Sequence, residues 1–149
     1  MKNMFDAGTV EEVKGRITSL KPASERLWGK MTAAQALAHC SEGIRMAAGE
    51  TKPPRVLIGR IIGPMIKGKV LGEGPMRRNS PTAKSLVVED QRNLEIERQR
   101  LCGLIDRFSS MGASGCTTHP HPFFGPMKPE EWSILMYKHL DHHLRQFGV

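Results

Sequence analysis

The stretch Pro129-Glu-Glu-Trp132-Ser-Ile-Leu135-Met136-Tyr-Lys-His139-Leu-Asp-His142-His143-Leu-Arg-Gln146-Phe147-Gly148 decides the fold. Proline in the first helical position sacrifices no hydrogen bond, and two acids in the first turn suit the positive end of a helix dipole. The spacing predicts a helix that starts near Pro129 and ends at Phe147-Gly148. Trp132, Leu135, Met136, His139, His143 and Phe147 follow i, i+3, i+4, i+7, i+11, i+15. That is one stripe of a helix. A stripe of Trp, Leu, Met and Phe faces a core, so His139 and His143 face it too. Side chains four apart are neighbours. Two imidazoles on one helix face have the geometry that lets a histidine pair share a metal. The plainer alternative is two core histidines that only hydrogen-bond, but each would then need its own buried partner. His142 falls to one side of the stripe and reads as a group supporting the pair or, in preference, as simply solvent-facing.

Outward from this helix, the pattern predicts three more. The first is short, near Val10 to Leu20, with Pro22 just beyond it. The second starts after Thr32, which with Gln35 has capping-box spacing. Ala33, Ala34, Ala36, Leu37, Ala38, Ala47 and Ala48 favour helix, and Gly49 can stop it. The third is expected to start after Ser80-Pro81 and run to about Ser109. Val87, Leu94, Leu101 and Phe108 recur every seven residues, and Leu104, Ile105 and Met111 widen that stripe. Between the second and third lies Glu50 to Pro81, rich in Gly and Pro and read as an irregular crossover. Connections of that length are often functional. Nothing alternates with period two. The expected fold is all-α: one four-helix-bundle domain over 1–149, with a crossover rather than simple up-down-up-down connections.

Composition narrows the function. Charged residues at 25% and apolar residues at 39% are ordinary for a globular chain and exclude disorder. The most apolar stretch, Val56 to Leu71, is broken by Arg60, Pro64, Lys67 and Lys69, so it does not read as a membrane span. The start, Met1-Lys2-Asn3-Met4-Phe5-Asp6, lacks a signal peptide's apolar run. A cytoplasmic protein is expected. The formal charge is +7, and its excess is local. Residues 52–100 carry eleven bases and five acids. A solvated surface is the default reading, and an anionic small molecule, a membrane surface or nucleic acid would suit it. One Tyr and two Trp leave little to stack on bases, so no nucleic-acid partner is expected. No membrane partner is expected either. Cys40, Cys102 and Cys116 form no CxxC pair and no disulfide framework, and none is read as a nucleophile.

A metal on His139 and His143 needs a third ligand. His39 on the second helix is one candidate, but it lies near 200° from Leu37, opposite Ile44 and Ala48 (at ~3.6 residues per turn). The second helix must then be buried on two sides, or His39 faces solvent. His119 and His121 are the other candidates. They sit in His119-Pro-His121-Pro-Phe-Phe-Gly-Pro126, a loop that three prolines stiffen. That loop reads as an ordered connection or as a pocket wall with an imidazole proton carrier.

Trp28-x-x-Met31-Thr32-x-x-Gln35-x-Leu37-Ala38-His39-Cys40, then His121-Pro-Phe-Phe-Gly-Pro, then His139-x-x-His142-His143-x-x-Gln146-Phe147-Gly148 resemble the DinB-like superfamily, and within it a small uncharacterised bacterial family. The resemblance spans about residues 8–149. It implies a four-helix bundle with up-down-down-up topology and a divalent metal on three histidines. Carried over, these are His39, His139 and His143. The better-understood members are transferases and isomerases that use low-molecular-weight thiols.

Three neutral imidazoles leave coordination positions open, as in catalytic rather than structural sites. Imidazole alone does not choose among zinc, nickel and iron. Gln35, Glu42 and His121 are the candidate proton-transfer or supporting groups. The expected activity is transfer or hydrolysis of a small molecule, with a thiol cosubstrate an option and a homodimer another. The competing expectation is a non-enzymatic, stress-related binding module with a structural or vestigial metal site.

Overall fold

The computed structural model describes residues 1–149. It is all-helical, with five α-helices: α1 (Ala7–Ser19), α2 (Ala33–Ala47), α3 (Leu57–Leu71), α4 (Leu94–Met111) and α5 (Pro129–Gln146). Short 3-10 turns occur at Lys84–Leu86 and Gly112–Gly115. The helix ends have local causes. Asp6 caps α1 by accepting from the Thr9 N–H, and Thr32 and Gln35 form the capping box of α2. Gly49, at φ +77°, takes the left-handed conformation just past α2.

α1, α2, α4 and α5 surround one core. α2 packs on α4 and α5, and α1 packs on the same two. Val13, Ile17, Leu37, Ile44, Leu101, Ile105, Phe108, Trp132, Met136 and Leu140 fill the space between them. Burying each large apolar side chain contributes about 1.5–3 kcal/mol before entropy, so this cluster dominates stability. α2 is buried on nearly every side, from Ala33 to Ala47. Its alanines let both neighbours approach.

Two stretches differ from the sequence reading. The crossover is not irregular throughout, because residues Leu57–Leu71 form α3 with Pro64 inside it. Its glycines are contact residues rather than breakers. A Cβ at Gly59 would lie 2.6 Å from the Phe123 carbonyl oxygen, and one at Gly63 only 2.0 Å from it. The loop 122–126 thus lies directly on the α3 backbone. The Val56 N–H and the Arg55 guanidinium donate to the Pro122 carbonyl at 2.9 and 3.3 Å. Lys67 donates to the Pro126 carbonyl and pairs with Glu131 on α5 at 2.7 Å. Tertiary contact here outweighs intrinsic propensity.

The second difference is the start of α4. It begins at Leu94, not after Pro81. Asn93 is the better cap: its side chain accepts from the Ile96 N–H, and Glu95 and Glu97 follow in the first turn. Residues 72–93 instead form a strap containing the 3-10 turn at Lys84–Leu86. Val87 is exposed on the strap, whereas Leu94, Leu101, Leu104, Ile105 and Phe108 do form the buried stripe.

The glycine contact is testable. Gly63→Ala forces the Phe123 backbone away from α3 and should cost about 1–3 kcal/mol. Gly68→Ala, at a site with nothing within 4 Å, should be neutral or stabilising by up to ~1 kcal/mol. Urea unfolding of the two variants gives the comparison, and equal stabilities would refute the contact.

Candidate metal centre

α2 and α5 bring three imidazoles together. His39 comes from α2, and His139 and His143 from α5. One nitrogen from each lies within 4.8 Å of the others. The rings stand nearly perpendicular, with centroids 4.7 to 4.9 Å apart. His39 is only 3% exposed, while His139 and His143 are half-buried residues. The phase problem of His39 resolves because α2 is buried on two sides.

Hydrogen bonds determine which nitrogens are free. His39 Nδ1 lies 2.7 Å from the Leu86 carbonyl, which can only accept, so His39 carries its proton there. Gln146 Nε2 donates to the Trp28 carbonyl at 2.8 Å, which turns its Oε1 toward His143 Nδ1 at 2.9 Å. His143 therefore also carries its proton on Nδ1. Both Nε2 atoms present lone pairs. Carbonyl partners on the far nitrogen of this kind orient metal-binding histidines. His39 Nε2 and His139 Nε2 are 2.8 Å apart. In the metal-free protein His139 Nε2 must donate to His39, which leaves its own Nδ1 as a lone pair.

That Nδ1 lies over Gly43. A Cβ at Gly43 would meet His139 Nδ1 at 3.0 Å and Cε1 at 3.2 Å. The sequence reading missed this role. The signal was present: a glycine inside an alanine-rich helix, one turn after His39. It also missed Leu86 and Trp28, because backbone carbonyls leave no trace in residue type.

Burial lowers the pKa of all three imidazoles. For His39 the Leu86 hydrogen bond and Glu42 partly offset it. His139 is pushed well down by burial and then by four other histidines, His39 first. Burial, followed by His39, brings His143 to about 3. At neutral pH all three are uncharged, the state in which imidazole is a ligand. Nitrogens bound to one zinc at ~2.0–2.1 Å lie at most ~4 Å apart. The three side chains thus need little movement to share an ion, and the donor set fits a divalent transition metal.

The strap lies against this site. It supplies the Leu86 carbonyl, and Gln35 Nε2 holds it by donating to the Glu89 and Asp90 carbonyls at 3.1 and 3.0 Å. Arg78 stacks on Trp28 at 4.2 Å, and Trp28 meets the His142 ring edge-on at 5.5 Å. His142 is half-buried, not simply solvent-facing; burial lowers its pKa, with a hydrogen bond to the Met76 backbone opposing.

The other candidate residues are engaged elsewhere. Gln35 caps α2 and pins the strap. Glu42 pairs with Arg45 at 3.1 Å and Arg100 at 2.9 Å. His119 bonds the Pro53 carbonyl at 3.2 Å. His121 Nδ1 accepts the Phe123 and Phe124 N–H groups, both at 3.1 Å, and its ring stacks on Phe124. Burial, with Arg55 nearby, lowers its pKa to about 4.

An all-helical chain that gathers three neutral imidazoles from two helices belongs to the class able to hold a divalent ion. The chain belongs to the family described as "Protein of unknown function (DUF1569)", whose model matches residues 3–148. No curated protein and no solved structure matches it.

Two measurements test this geometry. Gly43→Ala should cost about 1–3 kcal/mol by overpacking, and most of that cost should vanish in the His139→Ala background. A double-mutant cycle by urea unfolding reads the coupling, which is absent if the two residues do not touch. The second test is His121. Its folded pKa lies below the unfolded value, so its contribution is complete above about pH 6.5. That contribution is withdrawn as pH falls toward about 4, by up to about 3 kcal/mol. His121→Asn keeps an acceptor but cannot titrate, so it should make the acid fall in stability shallower over that window by one proton's share, the other buried histidines keeping theirs.

Proposed function

We propose that this protein is a metal-dependent enzyme whose divalent ion is held by Nε2 of His39, His139 and His143. The observation that carries the reading is the convergence of three neutral imidazoles, two with Nδ1 engaged by acceptors and Nε2 left free. Bound there, the ion supplies the Lewis acidity to ionise a water or a thiol near neutral pH. The chain's own residues hold the ligands in place: Leu86 and Gln146 fix the ring tautomers, and Gly43 gives His139 its seat. The intermediate burial of His139 and His143 supports access for a small molecule. Transfer or hydrolysis is the reaction class, with a low-molecular-weight thiol as cosubstrate. The resemblance to the DinB-like superfamily supports the same ligand set and an up-down-down-up bundle of α1, α2, α4 and α5.

A non-enzymatic, stress-related binding module with a structural or vestigial metal site is the second reading. It is favoured by one observation: Gln35, Glu42 and His121 are all committed to other bonds, leaving no evident proton-transfer group.

Elemental analysis of untagged protein tests the site. About one zinc, nickel or iron per chain is expected, with loss of most of it in both His139→Ala and His143→Ala. Protein that stays metal-free after each ion is supplied would sink the enzyme reading and leave a module with a vestigial site. A stoichiometric ion without thiol-transfer or hydrolytic turnover would select the second.

A further inference from the structure

We propose that the outer face of α3 docks on an anionic lipid surface. This goes against the sequence expectation of no membrane partner and does not depend on the metal. α3 buries only Gly59 and Gly63 fully, against the 122–126 loop. Its opposite face shows Leu57 at 75% exposure, Ile61 at 74%, Met65 at 68% and Ile58 at 55%. These four side chains fall within about 100° of arc around the helix, so they form one continuous apolar strip. Arg60 lies about 60° to one side and Lys69 about 20° beyond the other. An apolar strip bordered by cations is the pattern of a helix that lies in the plane of a bilayer interface.

Charge argues for lipid over a second copy of the chain. From Lys52 to Val88 there are eight bases and one acid, Glu73. Two-fold pairing through α3 would bring Arg60 and Lys69 against the same cations, which is unfavourable. An anionic surface complements them. The docking contacts also hold the strip outward. Gly59 and Gly63 lock one side of α3 to Phe123, and Lys67 is tied to Pro126 and Glu131. The strip cannot turn inward without breaking these contacts.

Flotation of the full chain with vesicles tests the proposal. Binding is expected to phosphatidylcholine vesicles with added phosphatidylglycerol, not to phosphatidylcholine alone, and should weaken at high salt. Arg60→Ala and Lys69→Ala should each lower the partition coefficient about fivefold. Ile61→Asp with Met65→Asp should abolish it, with helicity unchanged by circular dichroism. Absence of binding, equal binding to both vesicle types, or binding untouched by these variants would overturn it. So would a dimer in light scattering that Ile61→Asp dissociates, since the strip would then be an interface between copies.

Discussion

His39 Nε2 and His139 Nε2 lie 2.8 Å apart inside the bundle, and two lone pairs at that distance repel. Either a proton or a cation must sit between them. The surroundings of the three histidines follow from this constraint. The strap places the Leu86 carbonyl so that His39 holds its proton on the outer nitrogen. Trp28, through Gln146, does the same for His143. Only His139 can adjust, and it lies on Gly43, where no side chain or donor restricts its Nδ1. Binding of an ion would therefore require one tautomer change, at His139, and only small shifts of the rings.

Such a cluster has to be imposed by the rest of the core, because burying neutral imidazoles gains little by itself. The apolar contacts among α1, α2, α4 and α5 supply the stability, and a few polar ties set the register. Arg16 on α1 reaches Asp141 on α5 at 2.8 Å and the Val149 carbonyl at 2.9 Å. Arg98 on α4 donates to the Ile17 and Leu20 carbonyls at the end of α1, satisfying acceptors that a helix C-terminus leaves open. Arg100 and Arg45 bracket Glu42 just past His39. Pairs of this kind contribute at most ~1 kcal/mol each when exposed, so their role is alignment more than stability.

The helix α5 was legible because its stripe mixes large apolar residues with histidine at strict spacing. The all-helical class followed from the same periodicity. α2 was legible as a helix, but not in orientation. Alanines on both sides give no preferred face, so only the neighbours decide where His39 points. α3 was hidden because Gly59, Gly63 and Pro64 look like breakers until the loop that rests on them is known. The strap was hidden for the opposite reason. Val87 continues the heptad of Leu94 and Leu101, yet Asn93 and the Gln35 bonds to Glu89 and Asp90 draw that segment away from the helix. In each case the missing information was a contact between residues distant in sequence.

The cysteines carry a consequence for sulfur chemistry. Cys40 adjoins His39 in the chain but is buried, and burial raises its thiol far above the ordinary value. Burial also raises Cys102, and it pushes Cys116 up to about 11. Burial thus leaves less of each thiol ionised at neutral pH than in a free cysteine, which slows its alkylation and oxidation. The imidazole cluster accordingly has no thiolate from its own chain to compete for an ion or to form a mixed disulfide with a small thiol. A thiol serving as cosubstrate at this centre, as proposed above, would therefore come from solution.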